Sequence, residues 1–252
     1  NYIEFENDIA CQSTEFMIRD ETDYTDIFYR RLVLNRRLVN FLSAARMYLD
    51  HLFPHVRNCV SEKGCINEEV KSILSKEYDS SFEYRFMDAL RNYVQHRGLA
   101  IHNIVMGGRW TKEVNSCLEI SIRLIARKKI FEKDKLFKKI IAEMPEEINL
   151  HYAIRKYMGS MGRIHEKIRK VTQEELNKSR VLFNQAIKDY NNQNNGHTSY
   201  LKAISRNGLQ PDNNIESIQI FTEWDDVRNK LVQRNSNLSN LEKRYVKGRV
   251  EN

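Results

Sequence analysis

Proline and glycine are scarce in this chain, at 3 and 9 of 252 residues. A β-rich fold built on many tight turns needs more of both, so the shortage favours long helices. Cysteine is equally thin. Cys11, Cys59, Cys65 and Cys117 are too few and too scattered for a disulfide framework, which predicts a reducing, cytoplasmic setting. No apolar run approaches the roughly 18–20 residues that span a bilayer, so no membrane is expected among the partners. Residues 1–26 lack the basic start and apolar core of a secretory signal. The sequence has no Walker loop, no G-x-G-x-x-G turn, no nucleophile elbow and no H-E-x-x-H pair. Each absence removes the sequence support for one class of chemistry.

What the chain has is apolar mass and uneven charge. Hydrophobic residues make up 41%, including 12 Tyr and 11 Phe, enough to fill a core rather than leave a disordered chain. The net charge is +7. Residues 1–26 carry eight acids and one Arg, whereas residues 127–180 carry fifteen Lys or Arg against eight acids. A basic stretch of that size suits a polyanion, and it equally suits a solvated helical face.

Apolar spacing places the elements. Residues 1–25 alternate weakly and read as an extended, acidic N-terminal segment. Asp26 can cap a long helix whose apolar face recurs through Leu34, Leu38, Phe41, Leu42, Ala45, Leu49 and Leu52. Pro54 should end or kink it. A loop at Gly64 precedes a short helix capped by Asn67. A third helix opens at Ser80 or Ser81, buries Phe82, Phe86, Ala89, Leu90, Tyr93 and Val94, and stops at Gly98. The period then changes to alternation over about 99–125, with Gly107-Gly108 as the turn, which reads as an inserted β-hairpin. Helical spacing returns over 134–144. One helix is expected over about 150–169 and another over about 172–190, with Thr172 and Glu175 as a capping box. Polar residues 191–199 read as a linker. After it, Ile218, Ile220 and Trp224 suggest a short strand entering a helix. The expected division is a segment 1–25, a helical domain 26–190 and a C-terminal appendage 197–252.

One stretch combines groups that do chemistry. Arg91-Asn92-Tyr93-Val94-Gln95-His96 ends the third helix, where Asn92 and His96 fall one turn apart on one face. Tyr93 and Val94 belong to the apolar stripe and anchor the helix. A neutral imidazole can take a proton from a ribose 2′-hydroxyl. A guanidinium fork can hold the phosphate and the charge that builds on it. The plainer reading is that Arg91 and His96 cap carbonyls and complement the helix dipole.

Arg, then Asn, then three residues, then His resembles the R-x4–6-H signature of the HEPN superfamily. The resemblance covers this hexapeptide and a helical setting, not the hairpin or the tail. It implies a mainly α fold: a HEPN-like helical bundle, here carrying a β-hairpin insertion and a small C-terminal appendage. It implies a metal-independent endoribonuclease with Arg91, Asn92 and His96 as catalytic residues, in a homodimer where each chain supplies half a site. It also implies RNA as substrate and a toxin or phage-defence role with an antitoxin or defence partner protein. Arg97 and His102, close in sequence, and Lys138, Lys139, Arg163 and Arg169 in the basic stretch are the expected substrate-binding residues. His51, His55, Cys59 and Cys65 approach a metal pattern, but Pro54 interrupts the helix and Cys-x5-Cys is not a zinc-knuckle spacing. No metal ligand and no cofactor is assigned. The alternative function is a non-catalytic helical module that binds nucleic acid or a partner protein through its basic surface.

Overall fold

The computed structural model describes residues 1–19, 23–60, 63–112, 116–194, 201–206, 215–235 and 238–244, with the side chains of 63–65, 206 and 215 left aside. It is mainly helical with small antiparallel sheets. The helices are α1 (Tyr2–Ile18), α2 (Tyr24–Cys59), α3 (Lys63–Ser80), α4 (Phe82–His96), a single turn α5 (Lys128–Phe131), α6 (Leu150–Gln193) and α7 (Glu223–Arg234). Strands β1 (Asn103–Trp110), β2 (Leu118–Arg127) and β3 (Glu147–Asn149) form one sheet in the order β1-β2-β3. Strands β4 (Lys202–Arg206) and β5 (Ile215–Gln219) form a separate two-stranded ribbon.

The expected core faces of α2 and α4 are buried. Leu34, Leu38, Leu42, Phe86 and Leu90 are essentially inaccessible. Side chains cap the helices: Asp23 for α2, accepting from the Thr25 N–H, Ser81 for α4, accepting from Tyr84, and Asn149 for α6, accepting from His151. Buried Asn35 fastens the chain after α4 to α2. Its Oδ1 accepts the Ile101 N–H at 2.9 Å and its Nδ2 donates to the Arg31 carbonyl at 2.9 Å.

Several expectations are corrected. The N-terminal segment is a helix, because Phe5, Ile9 and Gln12 recur at helical spacing and are buried; the alternation drew on Ile3 and Ile18, which are exposed. The cap of α2 is Asp23, not Asp26. Pro54 lies inside α2, which runs on to Cys59 because Leu52 and Val56 are buried on either side of it. Gly64 belongs to α3, which starts four residues before Asn67. Gly107 and Gly108 sit within β1, paired with Ser121 and Ile120. The strands reach Trp110 and Leu118 before the chain reverses. A Cβ on Gly108 would stand 2.9 Å from Ile120 Cδ1 and 3.1 Å from Leu118 Cδ1, so glycine there leaves room for those side chains. Residues 134–144 hold a 3₁₀ turn at Lys135–Phe137 and further turns, not an α-helix. The two helices expected over 150–190 are one, because the Thr172 hydroxyl donates back to the Ile168 carbonyl instead of starting a new helix. At 1.5 Å per residue α6 is about 66 Å long, and no residue of it beyond Thr172 is buried. Of the linker expected at 191–199, residues 191–193 belong to α6, and positions 195–199 lie outside the described residues. The tail does hold a strand, Ile215–Gln219, followed by a helix, Glu223–Arg234, with Ile220 just beyond the strand.

Candidate functional site

The motif occupies the last turns of α4. The helix ends as Arg97 and Gly98 both donate their N–H to the Tyr93 carbonyl, at 2.8 and 3.4 Å. Gly98 is not in the left-handed conformation that a glycine stop usually supplies. A Cβ there would lie 3.2 Å from the Tyr93 hydroxyl, so the residue gives that ring room.

Asn92 and His96 share one face. Arg91 lies about 100° around the helix from Asn92, and its Nη1 closes the gap by donating to Asn92 Oδ1 at 2.9 Å. Both residues are half-buried, and Arg91 Nε is buried without a hydrogen-bond partner among the described residues. The Arg91 charge is felt inside the bundle by Asp88 and Tyr157. His96 is exposed, and among the described residues its ring bonds to no carbonyl. His96 therefore makes no capping hydrogen bond, while it does stand in the last turn of α4, where the dipole reading puts it. Within one chain Arg91 and His96 are five residues apart, about 140° around the axis, so Asn92 is the link between them.

What surrounds this helix end comes from the segment after β2. Phe131 and Phe137 are fully buried, and their rings pack on Tyr93 at centroid distances of 4.9 and 5.9 Å. Asp134 reaches Arg97 at 3.5 Å. With these three contacts fixing it, the segment turns its lysines outward. Lys129, Lys133, Lys135, Lys138 and Lys139 are exposed and hold no ion pair among the described residues. Arg97, next to His96 in sequence, is also exposed although paired with Asp134, and the lysine-bearing segment packs on the same helix end through Tyr93. Lys129, Lys133 and Lys135 escaped the sequence reading. Phe131 and Phe137 set between basic pairs were the available signal, because buried aromatics in a charged run anchor it.

The other expected phosphate ligands are placed elsewhere. His102 is half-buried. Its Nδ1 accepts the Arg127 N–H at 2.9 Å and its ring lies 5.0 Å from that of Phe131. Burial, with Arg127 and Arg31 nearby, holds its pKa down at about 4, so the ring is neutral, while the Leu99 carbonyl works the other way. Arg163 is engaged by buried Glu77 at 3.0 Å and by Glu242 at 3.5 Å. Arg169 donates to the Asn235 carbonyl. These three contribute to packing, while Lys138, Lys139 and Arg97 face solvent.

No protein-family model, curated protein or solved structure matches this chain.

Proposed function

We propose that the chain is a metal-independent endoribonuclease of HEPN type, with His96 as general base, Arg91 as phosphate ligand and Asn92 as the residue that orients them. The observation that carries this reading is an open, unbonded imidazole one helical turn from an Arg–Asn pair, beside a field of unpaired lysines. His96 takes the proton of a ribose 2′-hydroxyl. The 2′-oxygen bonds to phosphorus, the P–O5′ bond breaks, and the leaving oxygen is protonated. The products are a 2′,3′-cyclic phosphate and a 5′-hydroxyl. The nucleophile belongs to the substrate, so the reaction is complete without a metal, and DNA cannot follow it. The lysines around Phe131 and Phe137 hold the phosphate backbone. Because Arg91 and His96 diverge around α4, the working site is composed from two copies of the chain. A toxin or phage-defence role is the setting this activity fits.

The test is cleavage of RNA in excess chelator, with the product ends identified. His96→Ala should slow cleavage by roughly 10²–10⁴, Arg91→Ala by a similar factor, and Asn92→Ala by less. All three should melt with the wild type. Mixing the His96 and Arg91 variants should restore part of the activity. Unchanged cleavage by His96→Ala ends the nuclease reading.

The alternative, a non-catalytic module that docks a partner protein, draws on a separate observation. Trp224, Val227 and Leu231 form an exposed apolar stripe on α7, and Val181 and Leu182 are exposed on α6.

A further inference from the structure

A cleft of about 390 Å³ opens between α2, α3 and α4, away from His96. Its volume is in the range of small-molecule sites. In a chain of net charge +7 its lining is acidic: Asp50, Asp79 and Asp88 against a single cation, Arg46. Arg46 is already shared, 2.8 Å from Asp50 and 3.6 Å from Asp88, so negative charge remains in excess. The C-terminal end of α3 does not add to this excess, because the Arg85 guanidinium donates to the Tyr78 and Asp79 carbonyls at 3.0 and 2.8 Å; the excess rests on the carboxylates alone. Asp88 is raised in pKa by burial, with Arg46 and Arg91 opposing the rise.

Acidic residues alone do not define a site, and a second observation points the same way. Tyr84 lines the cleft and is only 5% exposed. Its ring is fixed by edge packing on Tyr78 at 5.9 Å and by Tyr157 at 5.2 Å. Among the described residues its hydroxyl has no hydrogen-bond partner, and it is not sealed in the interior, so it is open on the side where Tyr84 lines the cleft. A deeply set tyrosine whose hydroxyl has no protein partner is open to a hydrogen-bonding group from the cleft. The half-buried ring of Tyr78, which also lines the cleft, supplies aromatic surface along which an alkyl ammonium can lie. A bare metal ion fits less well, because no three His, Cys, Asp or Glu among the described residues converge closely enough to coordinate one.

We infer that this cleft binds a small aliphatic amine: one ammonium group pairs with Asp79 and Asp88 and meets the Tyr84 hydroxyl, and its alkyl chain lies along Tyr78. This does not depend on the nuclease reading. It does give that site a neighbour, since Asp88 stands one turn before Arg91 and Asn92 on α4.

The test is calorimetric titration of the full chain with 1,4-diaminobutane, with 1,4-butanediol as the uncharged match. One-to-one binding of the diamine without binding of the diol is expected. Asp79→Asn, on the exposed rim, and Tyr84→Phe, which keeps the ring packing, should each weaken binding at least tenfold while melting remains within a few degrees of the wild type. Should Tyr84→Phe lower the melting temperature further, Asp79→Asn carries the test alone. No binding at millimolar diamine overturns the inference. Equal binding of the diol, or binding that neither substitution weakens, does the same, because the amine would then be held elsewhere.

Discussion

The titration of His102 and Glu6 shows how single residues tie stability to pH. Folded His102 titrates near 4 against an ordinary 6.5. The unfolded chain therefore binds the extra proton between those values, and stability falls as pH falls through that window. His165 acts in the same direction: burial lowers its pKa, helped by Arg169 and His55. Glu6 follows at lower pH. Burial opposes its charge, but hydrogen bonds from Arg155 and His151 prevail and hold it at about 2 against 4.5. Its contribution is intact above pH 4.5 and is lost as pH falls toward 2. Each shift of this size corresponds to at most about 3 kcal/mol, less for solvent screening. Urea midpoints should accordingly decline from pH 7 to 4 and again below 4.5. His102→Asn, which can still accept the Arg127 N–H, should flatten part of the first decline. A midpoint constant from pH 7 to 4.5 contradicts this account.

Among the elements, α6 carries the least expected packing. Gly159 and Gly162 open a notch in it, and residues 238–244 lie across that notch. A Cβ on Gly162 would stand 2.7 Å from the Leu238 carbonyl oxygen and 2.8 Å from Leu241 Cδ1. A Cβ on Gly159 would meet the Glu242 side chain from its carboxylate back to its Cβ at 3.2 Å, and that carboxylate is held by Arg163. Gly162→Ala should therefore lift residues 238–244, whereas the helix itself gains up to about 1 kcal/mol of propensity. Hydrogen exchange is the measurement: amides over 238–244 should lose protection while those of α2 and α4 keep theirs. Unchanged exchange in that segment means that the strap adjusts without leaving.

Across the whole molecule, much of the charge is neutralised internally. The acids of α1 are matched by Arg37, which reaches Glu4 and Asp8, by Arg30 on Glu15, and by Arg155 on Glu6. Glu77 is met by Arg163 and Lys167. The lysines of 129–139 are left to act outward. Reversal of Lys135, Lys138 and Lys139 to Glu should weaken RNA binding and lower its salt dependence by roughly 0.7–0.9 logarithmic units per lost phosphate contact, with no change in melting. Arg163→Ala should instead destabilise the fold, by less than the roughly 3–5 kcal/mol of a fully orphaned buried charge because Lys167 remains on Glu77. RNA affinity that follows Arg163 and ignores the lysines would relocate the surface to α6.

The sequence by itself determined the local features. The period of three and four in α2 and α4 encodes which side is buried, so Leu38, Leu42, Phe86 and Leu90 were legible as core. Alternation gave the β1–β2 hairpin, and the spacing of Asn92 and His96 gave their shared face. These follow from dihedral geometry, which acts over a few residues. Only the tertiary structure decided the rest. Glu6 finds Arg155 from 149 residues away, which turns an acidic segment into a docked helix. Phe131 and Phe137 bury against Tyr93 and so deliver lysines to the end of α4. Arg163 is withdrawn from solvent by a glutamate 86 residues earlier. A charge reads the same in sequence whether it meets water, a phosphate or a distant partner, because its energy depends on what the fold brings within a few ångströms.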